Sequence, residues 1–333
     1  MPRVVFVVPG DIDTRTGGSI YDKRMVAGLR SMGWCVDVRA PDLGQLQDGT
    51  VTVVDGLALL GLDQDIERHA SRLRVVPLIH LPLALEVGLD PAEAARRDAI
   101  ERRALAAARL IVATGQATVE QLVQRRVDRR CVALVEPGTD LASIARGSGR
   151  EAVALVSVGA LTPGKGHESL IRALAAVPAR NWTLTAAGSI ERDRRTADRV
   201  REVVGELGLG DRVTCAGELD DARLAELYDR SDVFALATER ETFGMAVAEA
   251  IARGLPVVST TVGAIPSIVG DGGILVPPGD GLALTAALTR VIVDRASREA
   301  LAEGARAARE RLRTWEAASR AMADALARVE AAV

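Results

Sequence analysis

Lysine is almost missing from this sequence: of 42 basic residues only Lys23 and Lys165 are lysine, and the rest are arginine. So strong a bias reads as genomic. It makes each surviving lysine a candidate for work that arginine does badly, such as setting a compact point charge beside a phosphate. Lys23 is read as incidental. Cysteine is scarce as well, and Cys35, Cys131 and Cys215 are odd in number and far apart. That excludes a disulfide framework and a zinc-ligand spacing, and fits a reducing cytoplasm. No segment reaches the ~18 consecutive apolar residues of a membrane-spanning helix. The run VVFVV at 4–8 is too short for a signal-peptide core and is followed at once by Pro9, Gly10 and Asp11. The sequence is therefore read as neither exported nor membrane-integral, and its localisation as cytoplasmic. Basic excess is absent too: residues 1–150 hold 20 basic and 19 acidic residues, and the remainder 22 and 26, which excludes a nucleic-acid-binding block.

What is present is an ordinary globular composition, 48% hydrophobic and 26% charged over 333 residues, enough for about two domains. Apolar runs at 3–8, 34–38, 51–54, 74–79, 110–113 and 131–135 alternate with helical patterns at 19–32, 63–73, 91–108 and 116–126. Such alternation predicts a parallel sheet with helices on both faces. The stretch from Glu136 to Ala152 has turn residues and no periodicity, which places a boundary at 150/151. The pattern then restarts with strands at 153–158, 182–187, 212–215, 232–236, 255–259 and 273–276, and from 280 onward it is helical. Both halves read as α/β, doubly wound domains, whose ligands bind outside the carboxyl ends of the strands. The helical tail is long enough to return to the first domain, with Trp315 as its anchor.

Three segments pass from strand to helix through glycine and so present unpaired N–H groups at the positive end of a helix, where phosphate binds. They are the Gly17–Gly18 loop, the Gly164–Lys165–Gly166 loop, and Thr242–Phe243–Gly244. None is a P-loop or a dinucleotide fingerprint: in GALTPGKG the lysine is followed by Gly166 and His167 where serine or threonine belongs. The segment ERETFGMAVAEAIARGLP, Glu239 to Pro256, places Glu241 just before a helix and Glu249 eight residues later. Eight residues advance a helix by ~800°, so two carboxylates roughly 80° from eclipsed would face one side if helix geometry held throughout. A carboxylate facing paired hydroxyls is how ribose is usually read.

These residues resemble the retaining glycosyltransferases of family 4, the glycosyl transferases group 1. The Glu-x7-Glu pattern with its aromatic-Gly pair (Glu241, Phe243, Gly244, Glu249) carries the likeness, together with GLPVVSTTVGAIPSIVGDGGILVPPGD, VSVGALTPGKGHESLIRAL, GGSIYDKR and the late Trp315. The resemblance spans most of the chain. It implies a GT-B fold: two facing Rossmann-like domains, an acceptor-binding one at 1–150 and a nucleotide-sugar-binding one at 151–312, with a helix at 313–333 crossing back to the first.

By the same resemblance, Glu249 holds the ribose hydroxyls and Glu241 meets the donor sugar from its far face. Thr242, Phe243, Gly244 and Met245 line the donor, the last three through backbone N–H groups, and Lys165 neutralises the diphosphate. Gly17 and Gly18 approach from the first domain, Glu218 and Leu219 hold the base, and His80 sits near the transferred sugar. On its apolar surroundings alone His80 also reads as a core histidine, while His69, on a charged helix, and His167 are read as having no part in the site. One position departs from the family pattern: Ala160 follows Gly159 where the family usually has arginine, which removes a diphosphate contact.

The implied function is transfer of a sugar from a UDP- or GDP-linked donor to a hydroxyl acceptor, with no metal and no other cofactor. A nucleotide-sugar epimerase of the same architecture and a non-catalytic nucleotide-sugar-binding protein fit the same residues. Arg96, Arg97, Arg102, Arg103, Arg125, Arg126, Arg129 and Arg130 could form a surface for anionic lipid, but the interleaved Asp98, Glu101 and Asp128 read as solvated helix faces instead.

Overall fold

The computed structural model describes residues 1–62 and 64–331. The chain divides into two compact units, Met1–Gly138 with Arg313–Val333, and Thr139–Leu312.

The sheet of the first unit runs through β1 (Arg3–Val7), β2 (Cys35–Arg39), β3 (Val51–Asp55), β4 (Arg74–Ile79), β5 (Ile111–Ala113) and β6 (Val132–Leu134). The spatial order is β2-β1-β3-β4-β5-β6, parallel at every pairing. Strands covered on both faces read as near-continuous apolar runs, and β3 is buried at all five residues, Thr52 and Asp55 included. Its helices are α1 (Gly17–Ser31), α2 (Asp65–His69), α3 (Pro91–Ala107) and α4 (Gln116–Gln124). Thr16 caps α1 by accepting from the Ser19 N–H at 3.1 Å, which satisfies one of the orphan donors of the first turn. Of the helical pattern at 63–73, whose first residue lies outside the described residues, the described part forms only α2, and Arg72 beyond it donates to the carbonyls of Leu43 and Leu46 and to His69 Nδ1.

The second unit repeats the plan with β7 (Val153–Val158), β8 (Trp182–Ala187), β9 (Val213–Gly217), β10 (Val233–Ala235), β11 (Val257–Thr260) and β12 (Gly273–Val276), in the order β12-β11-β10-β7-β8-β9. One face is covered by α5 (His167–Ala175), α6 (Arg194–Glu206) and, after β12, α10 (Gly281–Val293). The other carries α7 (Asp221–Asp229), α8 (Met245–Ala252), α9 (Ile265–Val269) and α11 (Arg295–Arg309). Apolar side chains fill both faces, Trp182 and Leu170 on the first and Phe234, Ile251 and Tyr228 on the second.

The expected boundary at 150/151 falls instead at 138/139. Residues 139–150 have no periodicity because long-range polar contacts hold them to the second unit. Ala145 N–H donates to the Arg253 carbonyl at 2.9 Å, Arg146 pairs with Asp229, and Ser148 donates through N–H and hydroxyl to Asp232 at 2.9 and 2.7 Å. The last helix, α12 (Trp315–Ala331), belongs to the first unit and packs on α1, with Met322 and Leu326 among Met25, Val26 and Leu29. Trp315 meets Tyr21 edge-on at 6.2 Å, and Arg24 lies over its ring at 5.6 Å.

The arginine runs are largely paired within the first unit, Arg96 and Arg97 with Glu93, Arg102 with Asp98, and Arg130 with Asp128. Glu101 departs from the solvated reading. It is fully buried, accepts from the Leu83 N–H at 3.0 Å and pairs with Arg125, so this charge ties α3 to α4 rather than facing water.

Candidate functional site

In the second unit the strand order reverses between β7 and β10. A doubly wound sheet opens a crevice outside the carboxyl ends of the strands that flank such a reversal. The segments leaving those two ends are the Lys165 loop and the segment that reaches Glu241. Buried hydroxyls tie them together: Thr238 donates to the Gly164 carbonyl at 2.9 Å, the Glu239 N–H donates to the same oxygen, and Thr260 donates to the Thr238 carbonyl at 2.6 Å.

Two glycines make the approach possible. Gly166 has φ +66°, and a Cβ there would fall 2.0 Å from the Ala237 carbonyl. Gly263 has φ +57°, and its Cβ would fall 2.1 Å from the Glu241 carbonyl. Only glycine fits both the left-handed backbone and the space.

The outcome is a meeting of Lys165 and Glu241, 76 residues apart, with Nζ 2.6 Å from Oε2. Both stay reachable, with side chains 30% and 17% exposed. The aliphatic stem of Lys165 lies over Gly159, beside Ala160. His167 behind it is buried, and burial first, then the Lys165 charge, lowers its pKa to about 4, so the ammonium is not accompanied by an imidazolium.

Glu241 lies in the loop before α8, and the helix begins only at Met245, so the ~80° relation between Glu241 and Glu249 does not apply. The two carboxylates serve different partners. Glu249, in α8, accepts from the buried Tyr228 hydroxyl at 3.1 Å, while Arg253 stacks on the Tyr228 ring at 4.5 Å and donates to the Glu249 carbonyl at 3.0 Å. Burial raises the Glu249 pKa, and Arg253 and Tyr228 oppose that rise. The Phe243 ring packs against the apolar face beneath α8, which leaves the backbone of Phe243, Gly244 and Met245 at the helix start, with Gly244 at φ +99°. Thr242 offers its carbonyl to the Ala264 N–H at 3.1 Å. Glu218 and Leu219 leave β9, two strands from the reversal. A cavity of about 310 Å³ between α5 and α10, lined by Arg172, Glu239, Thr260 and Asp280, contains none of the residues given a role in the site.

In the first unit the order reverses between β1 and β3. Beyond β1 lie Gly17 and Gly18, which open α1, while Asp55 ends β3 and His80 follows the neighbouring β4. His80 is neither a free site residue nor a plain core histidine. Its Nε2 lies 3.2 Å from Asp55 Oδ2 and 3.7 Å from Asp22 Oδ1. Neither aspartate was singled out from the sequence. Asp22 did leave a signal, a charge in phase with the apolar Met25, Val26 and Leu29 of α1. Tyr228 left none beyond being apolar in phase.

No helix among the described residues is long and apolar enough to cross a membrane.

Residues 145–308 match the family model described as glycosyl transferases group 1. Curated relatives include D-inositol 3-phosphate glycosyltransferases from Xylanimonas cellulosilytica, 33% identical over 68% of this chain and 58% of that protein, and from Thermomonospora curvata, 31% identical over 69% and 61%. The chain thus spans about three fifths of the length of these relatives. Among solved structures, a sucrose-phosphate synthase from Thermosynechococcus elongatus superposes with a TM-score of 0.83 at 23% identity, covering all of both chains. Anabaena HepE in complex with UDP superposes at 0.77 and 20% identity, over 98% of this chain and all of that one. The doubly wound units, the loops that meet at the β7/β10 reversal and the match across the second unit lead to one assignment: the fold is GT-B, and the chain belongs to the glycosyl transferases group 1 family.

Proposed function

We propose that the chain is a retaining glycosyltransferase that moves a sugar from a nucleoside diphosphate donor, UDP- or GDP-linked, to a hydroxyl acceptor. The observation that carries this reading is the Lys165–Glu241 pair at the carboxyl edge of the β7/β10 reversal. Breaking the glycosyl–phosphate bond sends its electron pair to the diphosphate and leaves positive charge at the anomeric carbon. A fixed ammonium and the N–H groups opening α8 stabilise the first, and a carboxylate beside the sugar stabilises the second. The acceptor oxygen attacks the face the leaving group vacates, and its proton passes to the departing phosphate. In this reading Glu218 and Leu219 meet the base, Thr242 to Met245 meet the sugar and phosphate, and Gly17, Gly18 and His80 keep the roles the resemblance gives them. Three free cysteines are in keeping with a cytoplasmic protein. That Anabaena HepE was solved in complex with UDP supports a nucleotide donor here.

Transfer from an α-linked donor should yield an α-linked product. NMR of the anomeric proton checks this, and a β-linked product would refute retention.

Glu249 supplies the ribose contact in this scheme. Glu249→Ala should weaken nucleoside diphosphate binding by about 1.5 to 3 kcal/mol, as for loss of a charge-assisted hydrogen bond. Tyr228→Phe, which removes only the hydroxyl that orients Glu249, should cost about 0.5 to 1.5 kcal/mol. Calorimetry with the ribonucleotide and its 2′,3′-dideoxy analogue separates the roles: both variants should lose ribonucleotide affinity and leave the analogue unchanged.

A further inference from the structure

We propose that Asp22 and Asp55 are positioning residues that hold His80 as a fixed imidazolium at the carboxyl end of β4, where it meets a ligand oxygen as a cationic donor and does not act as a base. The proposal deepens the reading of His80 as a site residue, and its test reads the protonation of the ring directly, whether or not transfer occurs.

The geometry comes from three elements. Asp55 ends β3, next to β4 in the sheet, and its Oδ1 accepts from the Leu57 N–H at 2.7 Å, which fixes the direction of Oδ2 toward the ring. Asp22 projects from α1 and is 1% exposed, and among the described residues neither its Oδ1 nor the buried His80 Nε2 it faces has a hydrogen-bond partner, so the ring is held against the two carboxylates by charge and packing. Tyr21 meets the imidazole edge-on at 5.1 Å, and its hydroxyl is committed to the Val135 carbonyl at 2.8 Å, so it cannot neutralise Asp22. A Cβ on Gly18 would stand 3.4 Å from His80 Cδ2, so the first turn of α1 also bounds the ring. On the far side, the His80 carbonyl accepts from Thr118 at 3.1 Å. The ring is thereby held in place with its side chain 24% exposed.

Charge decides the protonation state. The titratable groups facing the ring are Tyr21, whose phenol stays neutral because burial raises its pKa, and the two carboxylates. A neutral imidazole would leave two carboxylates buried against each other with one N–H between them, a costly arrangement in a low-dielectric interior. One added proton on the ring supplies the missing countercharge. Burial pulls the His80 pKa down, but Asp22 and Asp55 override it and carry it up to about 10. Asp22 itself is raised to about 6 by burial, opposed by His80 and assisted by Asp55. Three side chains of this kind could also hold a metal ion. No fourth His, Cys, Asp or Glu joins them among the described residues, and a proton on the ring balances the same two carboxylates, so the zinc arm of the test below separates the two cations.

A positioning residue should be visible in the titration of the ring it positions. The full chain carries three histidines, so ¹⁵N-histidine labelling with long-range ¹H–¹⁵N correlation, assigned through His69→Gln and His167→Gln, resolves each one. In the wild type both His80 nitrogens should remain protonated to pH 8.5. Asp55→Asn and Asp22→Asn, nearly isosteric, should each lower the titration midpoint by more than about one pH unit, where a purely structural role would leave it unmoved. A wild-type midpoint near the ordinary value of about 6.5 would overturn the proposal. So would an unchanged midpoint in both variants, or loss of the Nε2 proton on addition of one equivalent of zinc sulfate at pH 7.5.

Discussion

Glu241→Gln is expected to lower turnover by about two to three orders of magnitude, the loss typical of removing one preorganised group that stabilises transition-state charge. Nucleotide affinity should hold within about threefold. The split follows from the geometry. The carboxylate is 2.6 Å from Lys165 Nζ, while its proposed partner in the reaction is the sugar, where positive charge appears only as the glycosyl bond breaks. An interaction gained in the transition state moves kcat, and uniform binding moves KM. The amide also frees Lys165 from its intramolecular partner, so the diphosphate loses no cation. Steady-state kinetics beside calorimetric titration with the free nucleotide checks this. Equal losses in turnover and affinity would make Glu241 a binding residue.

Lys165→Ala is expected to weaken nucleoside diphosphate binding by about 10- to 100-fold, the equivalent of about 1.5 to 3 kcal/mol for a charged hydrogen-bonding group. The nucleoside monophosphate should change by less than about threefold, since the ammonium acts on the second phosphate in the proposed scheme. The loop itself should survive, because Thr238, Glu239 and Gly166 hold it through backbone groups that the substitution leaves in place. The variant also strands Glu241 without its cation, and a bare carboxylate repels the incoming diphosphate. Lys165→Arg should recover only part of the loss, since a planar guanidinium does not reproduce a compact charge packed over Gly159. Equal losses for both nucleotides would argue against a phosphate role.

The two pH-dependent histidines act in opposite windows. His80, raised from 6.5 to about 10, contributes stability that is complete below pH 6.5 and is lost as pH rises through about 10. His167, lowered to about 4, contributes stability that is present above pH 6.5 and is lost as pH falls through about 4. Urea unfolding across pH 6.5 to 10 should therefore show a decline in the wild type that His80→Gln flattens.

Much of the fold was legible because strands buried on both faces appear as near-continuous apolar runs, as in RVVFV and VALVSV, and because glycine marks the strand-to-helix crossings. The segment 139–150 was not legible. Its order comes from Asp229 and Asp232, some eighty residues away, and such contacts leave no period behind. The same distinction runs through the candidate site. Lys165 and Glu241 stand out separately as a rare lysine in a glycine loop and a carboxylate before a helix, whereas their pairing depends on the β7/β10 reversal, a property of topology. The Tyr228–Glu249 bond likewise joins neighbouring helices at positions whose spacing carries no mark. Asp22 sat in plain view on the apolar face of α1 and is the one missed residue that helix phase could have supplied.

The most direct test of the central claim, that the second unit binds a nucleoside diphosphate at the meeting of Lys165 and Glu241, is a thermal-shift titration with UDP, GDP, ADP and dTDP. A ligand that binds only the native state stabilises it by RT ln(1 + [L]/Kd), about 2.7 kcal/mol at a hundredfold excess over Kd. At least UDP or GDP should raise the Tm of the wild type progressively with concentration, with a smaller rise in Lys165→Ala. If all four leave the wild-type Tm unmoved at millimolar concentration, or raise it equally in the variant, the account is contradicted.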